Sequence, residues 1–181
     1  MPTVSGYTFF DTAIGICAIA WSGAGICGVM LPERDEAVLR ERLRRRHAEA
    51  RECPPPQAEA ADAIAGITAL LSGKDSDLGA IRIDLEGRDA FQFRLYALAR
   101  AISPGRTRTY GELAEELGGI GLSRAVGQAM GANPVPIIVP CHRVLAAKGK
   151  MGGFSAPGGA AVKRRILEIE RAAFPDPSRL L

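Results

Sequence analysis

The pair Cys141-His142 is the arrangement in this chain best suited to covalent chemistry. A cysteine attacks as its thiolate, and because an unperturbed thiol has a pKa of about 8.5, a neighbouring proton acceptor is useful at neutral pH. Residues 133–140 contain three prolines, which hold the approach to Cys141 stiff. A histidine base needs a third group to orient it, and Glu170 is the candidate. These residues fit a thiol hydrolase equally well, or a buried cysteine before a turn with a surface histidine.

The first half of the chain is predicted to contain both strands and helices. Runs of apolar residues bounded by glycine predict strands at residues 7–12, 14–21 and 25–31, and alternation of Ile81, Ile83 and Leu85 with polar residues predicts another. Helices are predicted at residues 33–51 and 57–72. The pattern indicates an α/β unit with a small antiparallel sheet, over residues 1–87, and a linker near residues 86–89.

The second half, residues 88–181, is predicted to be mainly helical, with helices at residues 91–102, 110–117, 123–130 and 160–173. Thr109 and Glu112 form a capping-box pattern, and glycines 118, 119 and 121 predict a tight turn. Two short helices joined by such a turn indicate a helix-turn-helix, with Arg124 in the first turn of the second helix. In the last helix, the basic residues are expected to stay solvated: Lys163, Arg164, Arg165 and Arg171.

Charge divides the chain in the same place. Residues 88–181 hold 14 basic and 7 acidic side chains, whereas residues 1–87 hold 9 and 13. A basic half favours a polyanionic partner, although a solvated face would also explain it. The longest apolar stretch near the start, residues 13–20, is too short for a membrane helix and lacks a basic flank, so a cytoplasmic protein is expected.

The four cysteines match no CxxC zinc or redox pattern. In a reducing compartment they would be free thiols, and the apolar surroundings of Cys17 and Cys27 predict packing as small hydrophobes. An alternative is a metal site built from Cys17, Cys27, His47 and Cys53. The main prediction is that the chain holds no metal and no cofactor.

Several segments of the second half resemble the methylated-DNA–protein-cysteine methyltransferases, also called O6-alkylguanine-DNA alkyltransferases. The most specific match is Pro140-Cys141-His142-Arg143-Val144, preceded by Gly131-Ala132-Asn133-Pro134. Further matches are residues 109–114, 123–130 and 163–170, so the resemblance is strong from about residue 91 to residue 170. It implies a ribonuclease-H-like N-terminal domain and a winged helix-turn-helix C-terminal domain.

The resemblance also implies a reaction: irreversible, single-turnover transfer of the alkyl group from O6-alkylguanine, with O4-alkylthymine as a further substrate, to Cys141 of a monomer bound to double-stranded DNA. It assigns catalytic roles to Cys141, His142 through a water, Glu170, Tyr110 and Asn133. It assigns DNA contacts to Arg124, which replaces the flipped base in the stack, and to Ala125, Gly127 and Tyr110. The base pocket would comprise Met130, Val144, Phe154 and Ser155.

Two departures from the family pattern concern the pocket. Phe154 stands where the family usually has tyrosine, and the loop over residues 154–159 is about two residues longer than the commonest form. Other functions left open are a non-enzymatic binder of alkylated DNA, in which another residue replaces the cysteine, and a helix-turn-helix regulator that senses methylation.

Overall fold

The first part of the chain forms a four-stranded sheet in the computed structural model, which describes residues 4–55 and 59–173. The strands are β1 (Gly6–Thr12), β2 (Gly15–Ser22), β3 (Gly25–Met30) and β4 (Arg51–Glu52), in the order β3-β2-β1-β4. The first three strands are antiparallel neighbours, as predicted, but β4 runs parallel to β1. The sheet is therefore mixed, and the prediction of an antiparallel sheet is wrong at this edge. A two-residue strand is too short to produce a periodic pattern.

Alternation along β2 gives the sheet two buried faces. Ile19 and its neighbours at alternate positions pack in the main core against α2 (Glu59–Leu71), whereas Ala18 and Ala20 pack with residues of α1 (Glu36–Arg46), such as Leu39. Helix α1 begins after the predicted residue 33 because Asp35 caps its N-terminus, accepting a bond from the backbone N–H of Val38 at 2.9 Å, and it ends at Arg46 rather than at residue 51. The predicted start of α2 at residue 57 lies outside the described residues.

The strand predicted at residues 81–85 does not form. Only Ile83 makes a strand-like bridge, parallel to Ile26 of β3. The Asp84 carboxylate instead accepts hydrogen bonds from the Ser22 hydroxyl and from the Glu86 backbone N–H, which turn the chain at residues 86–87. The alternation of apolar and polar residues in the sequence therefore belongs to an irregular segment that lies along the sheet edge.

The second part of the chain is mainly helical. Its helices are α3 (Ala90–Arg100), α4 (Tyr110–Leu117), α5 (Ser123–Gly131) and α6 (Gly159–Ile169). Two short strands, β5 (Arg108–Thr109) and β6 (Val144–Leu145), pair in parallel, and single 3₁₀ turns occupy Ile120–Leu122, Cys141–Arg143 and Ala147–Gly149. The predicted capping box of α4 is confirmed, because Thr109 and Glu112 exchange both hydrogen bonds. Gly118 and Gly119 adopt φ of 135° and 143°, which a residue with a Cβ rarely adopts, and so turn α4 towards α5.

One continuous core joins the two parts. Buried residues of the sheet and α2, such as Ile19 and Ile67, belong to the same apolar cluster as Leu95 of α3, Val126 of α5 and Ile166 of α6. A domain boundary after residue 87 stays a prediction. Within the described residues, no helix combines the length and apolarity needed to cross a bilayer.

Candidate active site

The loop before Cys141 is held by Asn133. The Asn133 side-chain amide donates to the Val139 carbonyl at 2.8 Å, and its oxygen accepts from the Val135 N–H at 3.0 Å. Between them, buried Ile137 has a φ of 75°, in the left-handed region that β-branched residues avoid. Such a conformation costs about 1–3 kcal/mol and persists only where packing enforces it. The approach to Cys141 is therefore rigid, as the prolines predicted.

Cys141 begins the 3₁₀ turn and is 7% exposed. Burial raises the pKa of its thiol, because a thiolate loses hydration there. A hydrogen bond from Asn133, the charge of Lys163 and the backbone N–H groups of Cys141 and His142 act in the opposite direction and favour the thiolate. The site thus supplies several stabilising groups for the anion that attacks.

A buried ion-pair network lies behind Cys141. The Nε2–H of His142 donates to Oε1 of Glu170 at 2.9 Å. Arg143 donates two hydrogen bonds to the same carboxylate, from Nε to Oε2 at 2.9 Å and from a terminal nitrogen to Oε1 at 2.7 Å. It also donates to the Ile102 carbonyl. The side chains of His142 and Glu170 are 0% and 1% exposed. Helix α6 ends at Ile169, earlier than the predicted residue 173, so Glu170 lies at its C-cap.

This network fixes the protonation states. Burial alone would raise the pKa of Glu170, but the hydrogen bonds and charges of His142 and Arg143 outweigh it and lower that pKa to about 2. Burial lowers the pKa of His142, and the attraction of Glu170 does not fully offset this effect. At neutral pH we therefore assign a neutral His142 whose proton is on Nε2, facing the carboxylate. Its Nδ1 is then an acceptor, and this atom is buried without a hydrogen-bond partner among the described residues.

Lys163 contradicts the prediction of a solvated side chain. It is 0% exposed, and its ammonium donates to the Val144 carbonyl at 2.6 Å, with Nζ 5.7 Å from the centre of the Tyr110 ring. Burial lowers the pKa of Lys163 to about 8, although the Cys141 charge favours its protonated form. The inward face of α6 thus carries a cation that was predicted, from its charge, to be solvated.

An open cavity of about 400 Å³ has Cys141 in its wall. This volume lies in the range of small-molecule sites. The lining residues are Tyr110, Gly127, Met130, Gly131, Cys141, Gly153, Phe154 and Ser155. The cavity thus contains the predicted Tyr110, Met130, Phe154 and Ser155, but not Val144, whose carbonyl binds Lys163 and whose side chain is fully buried. Burial raises the pKa of the Tyr110 hydroxyl, which donates to the Gly153 carbonyl at 3.4 Å.

Helix α5 places the predicted DNA contacts beside this cavity. Arg124 is exposed in the first turn, Ala125 is half-buried, and Gly127 belongs to the cavity wall. A Cβ added at Gly127 would meet no atom within 4 Å. Helix α5 therefore carries an exposed arginine in its first turn and, in the cavity wall, a glycine whose Cα faces open space.

The cysteines of the sheet do not form the alternative metal site. Cys17 packs in the main core, whereas Cys27 packs in the smaller core on the other face of the sheet, so the two thiols are separated by the sheet itself. No group of three or more potential metal ligands occurs among residues 4–55 and 59–173. Cys17 and Cys27 are free, and burial raises the pKa of each to about 12.

A cysteine in the wall of an open cavity, backed by a histidine–carboxylate pair and with residues of the short helices α4 and α5 beside it, defines a protein with a thiol-dependent site. The family profile described as "6-O-methylguanine DNA methyltransferase, DNA binding domain" matches residues 90–172. The methylated-DNA–protein-cysteine methyltransferase of Mycobacterium tuberculosis (strain ATCC 25618 / H37Rv) is 35% identical over 93% of this chain and 94% of its own. The chain belongs to the methylated-DNA–protein-cysteine methyltransferase family.

Solved structures agree with this membership. M. tuberculosis OGT in complex with DNA has a TM-score of 0.71 and 35% identity, and the match covers 92% of each chain. The O6-methylguanine-DNA methyltransferase from Pyrococcus kodakaraensis has a TM-score of 0.72 and 26% identity, covering 91% of this chain and 98% of that one. The similarity therefore extends through the N-terminal half, where the sequence motifs are sparse.

The sequence patterns did not identify two buried, charged residues of the site, Arg143 and Lys163. Arg143 was read only as part of a motif, although an arginine directly after Cys-His in a buried turn needs a carboxylate partner. Lys163 was read from charge alone, yet it lies three and four residues before inward-facing Ile166 and Leu167, which puts it on the same face of α6. That spacing was the available signal.

Proposed function

We propose that this protein repairs DNA directly, by moving the alkyl group from O6 of a flipped-out guanine onto Sγ of Cys141. One observation carries the proposal: Cys141 lies in the wall of a cavity that also contains Tyr110 and residues of α5, with His142 and Glu170 behind it. In the reaction, the S–C bond forms as the C–O6 bond breaks. The electron pair stays with guanine, which finally holds the proton lost by the thiol. O4-alkylthymine would react in the same way.

The thiol proton would pass through a water to Nδ1 of His142, the acceptor that the Glu170 contact leaves available. Asn133 and Lys163 would stabilise the thiolate in place. Tyr110 would support the flipped base, or donate to the purine N3 as guanine leaves. No step of this reaction regenerates the thiol, because the S–C bond of the thioether product is not easily broken. Each protein molecule therefore acts once.

A base inside the duplex cannot reach this thiol, so the nucleotide must leave the stack. Arg124, exposed at the start of α5, would fill the vacated position, entering from the minor groove. Ala125 and Gly127 would allow α5 to lie close to the shallow groove. Basic side chains of residues 88–181 would contact phosphates without regard to sequence, which suits a protein that scans for damage.

The finer architecture belongs to the same proposal. The N-terminal sheet with flanking α1 and α2 supports a ribonuclease-H-like domain, and the pairing of β5 with β6 beside α4 and α5 supports a winged helix-turn-helix. The proposal also includes a monomeric state and a cytoplasmic location, for a protein that binds DNA as a single chain. The binding-only and regulatory alternatives are not favoured, because Cys141 is present and relatives that are 35% identical over 93% of this chain are named as methyltransferases.

The test is incubation with a duplex that contains one O6-methylguanine, followed by peptide mass mapping. We expect one methyl group per protein, on Cys141, and none on Cys141→Ser. Cys53→Ser is the matched control, because Cys53 is a partly exposed free thiol outside the cavity and its loss should not change transfer. Unmodified Cys141 after excess substrate, or methylation of Cys53 instead, would overturn the proposal.

A further inference from the structure

A second, narrow crevice reaches Cys141 from the side of the N-terminal domain. Cys141, Phe154 and Ser155 line both this crevice and the main cavity, so the Phe154–Ser155 segment is the wall between them. On its far side the crevice is bounded by Arg42 and Arg46 of α1. We call this space the side crevice.

The side crevice is positively charged at that end. Arg42 and Arg46 are one helical turn apart, so their side chains project from the same face of α1. Arg42 pairs with Glu33 at 2.6 Å, but Arg46 forms no ion pair with an acidic side chain within the described part of the chain. Burial, followed by repulsion from Arg88 and Arg42, lowers the pKa of Arg46. The cluster therefore has more positive than negative charge and would gain from an anion.

The geometry of the transfer directs one part of the substrate to this crevice. During displacement, the attacking sulfur, the alkyl carbon and the departing O6 lie in line, so any further substituent on that carbon projects sideways from the line. When guanine occupies the main cavity, the side crevice is a neighbouring space that also has Cys141 in its wall. Backbone phosphates remain outside, several bonds away from the reacting carbon.

We propose that Arg42 and Arg46 are specificity residues that favour O6-alkyl groups ending in a carboxylate, such as carboxymethyl, by receiving that carboxylate in the side crevice. This inference rests on the proposed function and specifies its substrate class. The chemistry is unchanged: Sγ bonds to the methylene carbon, the C–O6 bond breaks, guanine takes the proton, and the carboxylate remains as part of S-carboxymethylcysteine. The N-terminal domain would thus help to select the lesion.

The experiment compares single-turnover rates on three duplexes that contain O6-methylguanine, O6-carboxymethylguanine or O6-carbamoylmethylguanine. The last two adducts have nearly the same shape and differ by one negative charge. In the double variant Arg42→Gln/Arg46→Gln, we expect transfer of the carboxymethyl group to slow by about fivefold, the effect of losing one or two partly exposed ion pairs. Methyl and carbamoylmethyl transfer should keep the wild-type rates.

Arg44→Gln is the matched control, since Arg44 belongs to the same helix but does not line the crevice. It should leave all three rates unchanged. Equal slowing of all three adducts in the double variant would indicate phosphate contacts or damage to the fold, and would overturn the proposal, as would an unchanged carboxymethyl rate. Failure of the proposed function would give a different result, because no alkyl group of any of the three adducts would then be found on Cys141 of the wild type.

Discussion

Glu170 offers the sharpest test of the network behind Cys141. Replacing it with glutamine keeps the shape but removes the charge that compensates Arg143, whose side chain is 5% exposed. Removing one partner of a buried pair typically costs about 3–5 kcal/mol. The pKa leads to a similar figure: a fall from 4.5 to about 2 corresponds to about 3 kcal/mol of stabilisation by the ionised form.

The pH dependence follows from the direction of that shift. Because the folded-state pKa of Glu170 is lowered, its contribution is fully present above the unfolded value of 4.5 and is lost as the pH falls towards 2. The difference in unfolding free energy between wild type and Glu170→Gln should therefore be about 3 kcal/mol at neutral pH and shrink in acid. For a chain of this length, that difference lowers Tm by roughly 10 °C.

Urea unfolding followed by far-UV circular dichroism and by the fluorescence of Trp21, the single tryptophan, measures this difference. Glu168→Gln is the control, because Glu168 is exposed two residues earlier and should change stability by less than about 0.5 kcal/mol. If Glu170→Gln were as stable as Glu168→Gln, or if the gap did not narrow in acid, the buried pair would not stabilise the fold as argued.

Three further predictions concern other parts of the site. Arg124→Ala should slow transfer from a duplex by about tenfold while leaving transfer from the free alkylated base nearly unchanged, and equal losses would contradict a role in flipping. Gly127→Ala should stabilise helix α5 by roughly 0.5–1 kcal/mol, since the added Cβ would contact no atom within 4 Å, yet it should weaken binding to a lesion duplex. An unchanged affinity for the lesion duplex would show that Gly127 does not contact the DNA. The folded-state pKa of Lys163 is about 8, so between about pH 8 and 10 the unfolded chain binds one more proton than the folded chain. The unfolding free energy of the wild type, relative to that of Lys163→Met, should therefore rise with pH in this range. If urea titrations gave the same difference in unfolding free energy throughout the range, the amine of Lys163 would not be buried as described.

Local chemistry made much of this site predictable. The capping box of Thr109 and Glu112 and the glycine turn before α5 act over a few residues, so the chain alone specifies them. The same holds for the stiff approach to Cys141, where proline and the Asn133 side chain act on adjacent backbone. Glu170 was identified as the orienting acid by its inward position and by resemblance, and it does contact His142.

The rest depends on contacts between distant segments. The edge strand β4 exists only because α1 returns the chain beside β1, and two residues leave no periodic signal. Residues 81–85 alternate like a strand, but the segment only bridges to β3 at Ile83, and the hydrogen bonds of Asp84 to Ser22 and Glu86 end it in a turn at residues 86–87. The side crevice likewise brings α1 and residues 154–157 to one space, although these segments are far apart in the chain.

The ion pair of Arg143 and Glu170 explains how a neutral histidine can act in a buried site. A carboxylate with a pKa of about 2 stays charged at any working pH, so it always accepts the Nε2–H of His142 and leaves Nδ1 as the proton acceptor. Because Arg143 already balances Glu170, His142 need not carry a charge to stabilise the acid. The positive charge that favours the thiolate comes instead from Lys163. Orientation of the base and stabilisation of the nucleophile are thus assigned to different residues, so a substitution of Lys163 should affect the thiol pKa without disturbing the tautomer of His142.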